Sequence, residues 1–296
     1  MLSAARIDPA ASFDAAVARV RALQSLDGPE ILPQAHTTLL HHGARAPLAV
    51  VLLHGFTNHP GQYRAFAPLV FERGANVLIP RLPEHGDRDR MTKRLKRLKA
   101  EMLIERAVDA VDAACGLGER VAVLGISSSG LIACYLAQFR GDLAQAIAIA
   151  PEFAILDLSL AATHAAALAM RVLPNMMLWW DPRVKNGMHP LTAYPRFSTR
   201  ALAQTLRIAG DLEAGAPLRS PVRAVVNPAD PAVNNAVTEE VVARWRRAGS
   251  DARTIAIPGL PRNHDIVEPD NPKARTDAVY PRLLSLLFED GRTGIE

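Results

Sequence analysis

Short apolar runs separated by segments with helical spacing form the main pattern along this chain of 296 residues. Runs that are apolar at nearly every position and rich in β-branched residues predict buried strands, because a strand covered on both faces has no polar side. Each run ends at a glycine, a proline or a polar residue, which is typical of a strand that reaches the edge of a sheet. The predicted strands lie within residues 36–43, 47–53, 74–80, 121–125, 146–151, 223–227 and 254–258.

Apolar residues recur at helical spacing in the segments between these runs. In the first such segment, Phe13, Ala16, Val17, Val20 and Leu23 lie on one helical face, with arginines between them. Helices are predicted at 12–25, 62–73, 92–115, 238–248 and 277–288. Strands that alternate with helices predict an α/β fold with a mostly parallel central sheet and helices on both faces.

The segment 152–218 interrupts this alternation. It contains no convincing strand, and its composition is helical, with many alanines and methionines. An insertion of this size after a strand predicts a helical cap over the carboxyl edge of the sheet, where open α/β folds bind ligands. We therefore expect a single domain over residues 1–296 with the cap inserted at 152–218. An additional helical layer unrelated to any site is the alternative.

The composition is that of a soluble globular protein with a sizeable core, at 49% hydrophobic and 22% charged residues. The only cysteines, Cys115 and Cys134, exclude a disulfide framework and fit a reducing compartment, so we expect a cytoplasmic location. Residues 1–6 lack the apolar core and cleavage site of a signal peptide. No apolar run approaches the roughly 18–20 residues of a membrane helix, so we expect no stable membrane insertion.

Charge and motifs argue against several other function classes. The net charge is +4, and much of the excess lies in the basic segment 88–99, which has no interleaved aromatic residues. Such a segment is more typical of a solvated helix face than of a surface for nucleic acid, so we expect no nucleic acid partner. The histidines lack metal-ligand spacing, and Gly125–Gly130 is not followed by the Lys-Ser/Thr of a phosphate-binding loop. We expect no metal and no cofactor, and the oligomeric state is left open.

The stretch 121–137 has the pattern of a buried strand, a tight turn and a helix, with serines at the turn. A serine at the apex of such a turn is exposed at the top of the sheet, as in the nucleophile elbow G-x-S-x-G. Ser127 fits the apex best because Gly125 and Ser129, two residues to either side, are both small. Ser128 or Ser129 at the apex would have a bulky residue at one of these two places. An ordinary strand-to-helix connection with capping serines is the alternative.

A serine hydroxyl requires a base, and the base requires an acid that orients it. In enzymes with this elbow, the acid follows a strand after the serine, and the histidine follows a later strand. Asp230 follows the predicted strand 223–227, and His264 follows the predicted strand 254–258. Both residues therefore lie at the carboxyl edge of the sheet, the same edge as Ser127. Chain order and edge together predict a Ser-His-Asp catalytic triad.

Other residues compete for these roles. Asp157, which follows an earlier strand, is the second candidate for the acid, and a turn-capping role is the alternative for Asp230. Asp265 and Glu268 lie too close to His264 in the chain to approach the far side of its ring. Other histidines do not follow a strand beyond the acid; they are His54, His59, His85, His164 and His189.

The negative charge that develops in the transition state requires hydrogen-bond donors. The candidates for this oxyanion hole are the backbone N–H groups of Ser128, next to the proposed nucleophile, and of Phe56, after an early strand. Gly55 permits the turn that the second donor requires. In the cap, Met176 and Trp179 belong to an apolar stretch suited to an acyl pocket, and packing of the cap on the body is the alternative.

These features resemble the α/β-hydrolase superfamily, and within it the bacterial carboxylesterase- and lipase-like serine hydrolases. The resemblance covers nearly the whole chain from about residue 36 onward. The stretch Leu53–Thr57, with the sequence Leu-His-Gly-Phe-Thr, resembles the family's oxyanion loop. Residues 74–86 are similar to the family's stretch R-G-x-x-V-x-x-P-x-L-P-x-H-G.

The resemblance implies hydrolysis of a carboxylic ester of a small molecule through an acyl-enzyme. Ser127, Asp230 and His264 fall on the family's triad positions, and Ser129 stands where a glycine is usual. A serine at position 127 argues against the dehalogenases of the same superfamily, which use an aspartate nucleophile. The alternatives are a lipase, thioesterase or acyltransferase with the same triad, or a ligand-binding protein that keeps the fold without catalysis.

Overall fold

The structure, a computed structural model, describes residues 6–183, 190–212 and 216–288. Residues 1–5, where the sequence predicts no signal peptide, and His189, one of the alternative bases, therefore lie outside the described residues. The strands are β1 (Thr38–Leu40), β2 (Ala46–Leu53), β3 (Asn76–Ile79), β4 (Gly118–Ile126), β5 (Gln145–Ile149), β6 (Met177–Trp179), β7 (Arg196–Ser198), β8 (Val222–Val226) and β9 (Ala252–Ala256).

Seven of these strands form a central sheet in the order β1-β3-β2-β4-β5-β8-β9. β1 is antiparallel to β3, and the other neighbouring pairs are parallel. The predicted α/β fold with a mostly parallel sheet is confirmed. The carboxyl ends of the parallel strands meet at one edge, so the loops that carry the candidate residues are brought together there.

The helices cover both faces of the sheet. They are α1 (Phe13–Gln24), α2 (Phe66–Phe71), α3 (Ala100–Leu117), α4 (Ser128–Phe139), α5 (Leu160–Val172), α6 (Thr199–Asp211), α7 (Asn235–Arg247) and α8 (Thr276–Phe288). Along β2, Val51 and Leu53 pack into one core with α3 and α4, whereas Val50 and Leu52 pack into the other core with α2 and α8. Because both faces are covered, the strand is apolar at nearly every position.

The predicted helix 62–73 is shorter than its sequence pattern indicates. A 3-10 turn occupies Pro60–Tyr63, and α2 begins only at Phe66. Pro68 favours this start, because proline lacks the N–H that a helix interior uses and fits best in the first turn of a helix.

The predicted helix 92–115 also begins later, at the start of α3, and a 3-10 turn at Arg94–Arg97 precedes it. Basic side chains of this segment pair with carboxylates of neighbouring loops: Arg94 with Glu30 and Asp87, and Arg97 with Glu84. The expected α-helix is therefore absent over residues 94–97, but most basic side chains of the segment 88–99 are exposed, as expected for a solvated face.

The insertion between β5 and β8 contains α5, α6 and an antiparallel pair of short strands, β6 and β7. The prediction that this segment contains no strand is wrong. Each strand has three residues, and the two form a sheet of their own. Segments of three residues are too short to show a periodicity that distinguishes a strand from a helix. Within the described ranges, no helix is both long and apolar enough to cross a membrane.

Candidate active site

Ser127 follows β4 in a backbone conformation with φ 59° and ψ −119°, and α4 begins at the next residue. Gly125 makes this abrupt turn possible, because a Cβ at that position would overlap the Ser129 carbonyl group. A Cβ at Gly130 would also be crowded, since it would lie 3.0 Å from the Cα atom of Pro151. The turn thus has the geometry of a nucleophile elbow with a strained serine at its apex.

Side chains from three loops at the carboxyl edge of the sheet form a hydrogen-bonded chain. His264 Nε2 lies 2.9 Å from Ser127 Oγ, and His264 Nδ1 lies 2.8 Å from Asp230 Oδ2. Because a carboxylate only accepts, Nδ1 carries the proton and Nε2 is left as the acceptor for the serine hydroxyl. The structure therefore brings together the three residues that chain order indicated.

Asp230 is held in place by its own loop. Its side chain is fully buried, and Oδ1 accepts the backbone N–H groups of Ala232 at 2.8 Å and Val233 at 3.2 Å. Oδ2 is thereby directed at His264. The two interpretations of Asp230 are compatible, since one oxygen caps the turn while the other holds the imidazole ring.

Three carboxyl groups raise the pKa of His264. Burial by itself lowers this pKa, but the hydrogen bond and charge of Asp230 and the charges of Asp265 and Glu152 outweigh it. The pKa of His264 therefore lies above its ordinary value of 6.5. A raised pKa makes the imidazole a stronger acceptor for the serine proton.

Hydrogen bonds to Gly55 hold the loop after β2 in one conformation. The Gly55 carbonyl oxygen lies 3.1 Å from the Asn58 nitrogen and 3.0 Å from His54 Nδ1. Because the N–H and C=O of one planar peptide point in opposite directions, this arrangement turns the Phe56 N–H away from both donors. In the described part of the chain, neither this N–H nor that of Ser128 has a hydrogen-bond partner.

The other described histidines do not hydrogen-bond to Ser127. His54 Nε2 accepts the Leu82 N–H at 3.0 Å, and burial together with the charge of His85 lowers the pKa of His54. Burial also lowers the pKa of His59 and of His85 to about 4, so both stay neutral near pH 7. Among the residues that the structure describes, no group of three or more histidine, cysteine or acidic side chains is arranged to hold a metal.

A cavity of about 690 Å³ adjoins Ser127 and His264. The insertion supplies much of its apolar wall, namely Ile155, Leu156, Trp179, Trp180, Phe197 and Leu202. Trp179, which the sequence indicates as a substrate-binding residue, therefore lies in the cavity wall. Met176 does not line the cavity and is 53% exposed, because its backbone is hydrogen-bonded to Thr199 at the end of the β6–β7 pair next to α6.

Glu152 is a residue of this site that the sequence analysis missed. It follows directly after Pro151, is 9% exposed and lines the cavity. Burial raises its pKa to about 7, against the lowering effects of the His264 charge and of a hydrogen bond with Thr205. Asp157, the second candidate for the acid, lies in the same loop but is exposed and outside the cavity wall. The position of Glu152 directly after the predicted strand 146–151 was the sequence feature that could have indicated it.

Comparison with known proteins places this fold in a family. A model of the Alpha/beta hydrolase family matches residues 50–278, a range that includes Ser127, Asp230 and His264. The chain belongs to this family. The thermostable monoacylglycerol lipase of Bacillus sp. (strain H-257) is 26% identical to this α/β hydrolase over 173 residues. The match covers 58% of the chain and 66% of that relative, which is just under two thirds of the relative's length.

Solved α/β-hydrolase structures share the fold at low sequence identity. A structure from work on the metagenome-derived lipolytic enzymes LipS and LipT has a TM-score of 0.68 at 19% identity, covering 87% of this chain and 98% of its own. Monoacylglycerol lipase of Paleococcus ferrophilus has a TM-score of 0.59 at 20% identity, with coverages of 84% and 98%. A soluble variant of Saccharomyces cerevisiae monoglyceride lipase, solved with a substrate analog, has a TM-score of 0.63 at 13% identity, with coverages of 87% and 92%. At these identities the likeness concerns the fold alone.

Proposed function

We propose that this α/β hydrolase cleaves carboxylic esters of small molecules through an acyl-enzyme formed on Ser127. The observation that carries the proposal is the hydrogen-bonded chain from Ser127 Oγ through His264 to Asp230, at 2.9 Å and 2.8 Å. The cavity beside these three side chains provides room for an ester, and the strained turn at Ser127 exposes the serine hydroxyl.

In the acylation step, Ser127 Oγ attacks the ester carbonyl carbon while His264 Nε2 takes the hydroxyl proton. The buried carboxylate of Asp230 orients the ring and stabilises the imidazolium that forms. When the tetrahedral intermediate collapses, His264 gives its proton to the leaving alcohol, and the acyl group remains on Ser127. Water then attacks the acyl-enzyme with His264 as the base, which releases the acid and restores the serine.

The backbone N–H groups of Phe56 and Ser128 are the proposed donors to the oxyanion. Both lack another partner within the described chain, and the hydrogen bonds to Gly55 fix the orientation of the first. Donors that are already oriented need no reorganisation when charge develops, and one such donor contributes about 10²–10³-fold to kcat.

The cavity wall favours an apolar acyl chain. Trp179 and Phe197 of the insertion line it, which supports a role of residues 152–218 as a cap on the single domain. The curated relative is named a monoacylglycerol lipase, so a monoacylglycerol is the candidate substrate within the ester class. Lipase, thioesterase and acyltransferase activities would use the same residues on other leaving groups or acceptors. The cytoplasmic location stays a prediction.

A panel of esters with graded acyl length tests the proposal, run as p-nitrophenyl esters and as glycerol monoesters beside acyl thioesters. We expect hydrolysis of esters by the unaltered protein and a loss of at least about 10³-fold in kcat for Ser127→Ala. A preference for thioesters over matched esters would favour the thioesterase alternative. Unchanged ester hydrolysis by Ser127→Ala would contradict the assignment.

A further inference from the structure

Gln62 joins two loops that the sheet does not connect directly. Its side chain is almost completely buried; Oε1 accepts the Gly55 N–H at 2.8 Å, and Nε2 donates to Asp265 Oδ2 at 2.7 Å. Gly55 follows β2 and Asp265 follows β9, and the strands β4, β5 and β8 lie between these two in the sheet. The carboxamide of Gln62 is therefore a direct link across the top of the site.

Asp265 uses both of its carboxylate oxygens in this link. Oδ1 accepts the backbone N–H groups two and three residues further along, at 3.2 Å and 3.1 Å, and so holds its own loop in a turn. Oδ2 accepts from Gln62 and, at 3.3 Å, from Asn58 Nδ2. The turn that carries His264 is thereby attached to the loop that carries Phe56.

Each end of the link lies beside a group of the proposed reaction. Gly55 directly precedes Phe56, the proposed oxyanion donor, and Asp265 directly follows His264, the proposed base. A change in the link would therefore alter the distance between the base and the oxyanion donor. Misplacement of reacting groups by about 1 Å costs on the order of 10²-fold in rate.

We propose that Gln62 and Asp265 are positioning residues, and that the Gly55–Gln62–Asp265 bridge sets the spacing between the oxyanion donors and His264. This inference rests on the proposed ester hydrolysis. The bridge has one direction only, because the Gly55 N–H needs an acceptor and the carboxylate needs a donor. An apolar side chain of similar size would fill the space of Gln62 without transmitting either hydrogen bond.

Because the bridge has a fixed donor and a fixed acceptor at each contact, it can be tested by exchanging these groups between positions 62 and 265. In Asp265→Asn, the new amide oxygen caps the turn and the new NH₂ group faces Gln62 Nε2, so two donors oppose each other. The double variant Gln62→Glu/Asp265→Asn restores the bridge, because the introduced carboxylate accepts both from the Gly55 N–H and from the introduced amide. Only the longer contact from Asn58 is not rebuilt.

We expect Asp265→Asn to lower kcat for p-nitrophenyl butyrate about 10–100-fold. Asp265 lines the cavity, but the apolar part of the wall is intact, so KM should change less than about twofold. The double variant is expected to recover kcat to within about threefold of the unaltered protein. The rate of labelling by a fluorophosphonate is expected to fall and recover in parallel, since it depends on the same base and the same donors.

Two further variants complete the test, with thermal unfolding measured for each. Gln62→Met removes the bridge without a change of charge and should lower kcat by a similar factor. Its matched control is Gln204→Met. The Gln204 side chain accepts the backbone N–H of Ala100 at 3.2 Å and lies outside the cavity wall, so its loss should leave kcat unchanged. If Asp265→Asn does not fold, Gln62→Met and the double variant carry the test.

The outcomes separate this inference from the proposed function. Full kcat in Gln62→Met, or a folded double variant with no recovery over Asp265→Asn, would overturn the positioning role. An unaltered protein that neither hydrolyses esters nor reacts with the fluorophosphonate would contradict the proposed function instead.

Discussion

Ser129 Oγ donates a hydrogen bond of 2.5 Å to the carbonyl oxygen of His54. Ser129 is fully buried in the first turn of α4, and His54 directly precedes Gly55. The serine at the position where the family usually has glycine therefore ties the helix after the nucleophile to the loop that carries Phe56. The two proposed oxyanion donors lie on elements joined by this hydrogen bond.

Ser129→Ala should destabilise the protein and weaken catalysis together. The substitution leaves the buried His54 carbonyl without this donor, which costs about 1–3 kcal/mol in the free energy of unfolding. Urea unfolding and kcat on a p-nitrophenyl ester measure the two effects. The control is Ser25→Ala, whose hydroxyl donates to the Ala22 carbonyl at the exposed end of α1 and should matter little. Equal stability of Ser129→Ala and the unaltered protein would contradict this role.

The acid limb of the pH profile should lie above pH 6.5. His264 acts as a base only when neutral, so activity rises as pH increases through its pKa, which is raised above 6.5 despite burial. The profile of kcat/KM reports this pKa for the free enzyme. A midpoint of the acid limb below 6.5 would contradict the assignment of His264 and its three carboxyl neighbours.

Glu152→Gln should move the acid limb to lower pH. The charge of Glu152 raises the pKa of His264, and the substitution removes that charge while keeping the shape of the side chain. Asp157→Asn is the matched control, because Asp157 is an exposed carboxylate of the same loop that does not line the cavity. The control should not change the midpoint of the acid limb. An equal shift of this midpoint in both variants would show that Glu152 has no specific effect.

Asp230→Asn should lower kcat by about 10²–10⁴-fold with little change in KM. The introduced amide can donate to Nδ1, which would place the proton on Nε2 and remove the acceptor for Ser127. Steady-state kinetics on the butyrate ester measure the loss. Activity within a factor of a few of the unaltered protein would indicate that another acid orients His264.

Leu202→Trp should shorten the acyl chain that the cavity accepts. Leu202 lines the cavity from α6, and a larger side chain there occupies volume that a long acyl chain would fill. We expect kcat/KM to fall about tenfold or more for long acyl chains and much less for acetate. Leu168→Trp, at an exposed position of α5, is the control for the same change in size. A uniform loss over all chain lengths would argue against an acyl site here.

Local patterns were sufficient for the seven strands of the central sheet, though not for their order in it, and for the chain order of the candidate triad. Buried parallel strands are apolar at most positions, and the loop after each strand begins at the carboxyl edge, so Ser127, Asp230 and His264 could be placed together from the sequence. The short strands β6 and β7 could not be predicted, because three residues carry no period. The start of α3 could not be predicted either, since residues 94–97 form a 3-10 turn whose side chains pair with other loops.

The residues that support the site could not be predicted from local sequence patterns. Gln62 and Asp265 lie 203 positions apart in the chain, and their contact depends on where two loops end in space. Glu152 directly follows the predicted strand 146–151, but its burial depends on the insertion that covers it. The composition of the stretch around Met176 indicates an apolar pocket, but composition does not show that its backbone pairs with Thr199 and its side chain is exposed.

Covalent labelling tests the central claim most directly. The folded protein is treated with a fluorophosphonate, the adduct is located by peptide mass spectrometry, and Ser127→Ala is treated in parallel after its folding has been checked. The account predicts one adduct per chain, on Ser127, and no adduct on the Ser127→Ala variant. An adduct on Ser128 or Ser129, or no adduct on the folded unaltered protein, would contradict it.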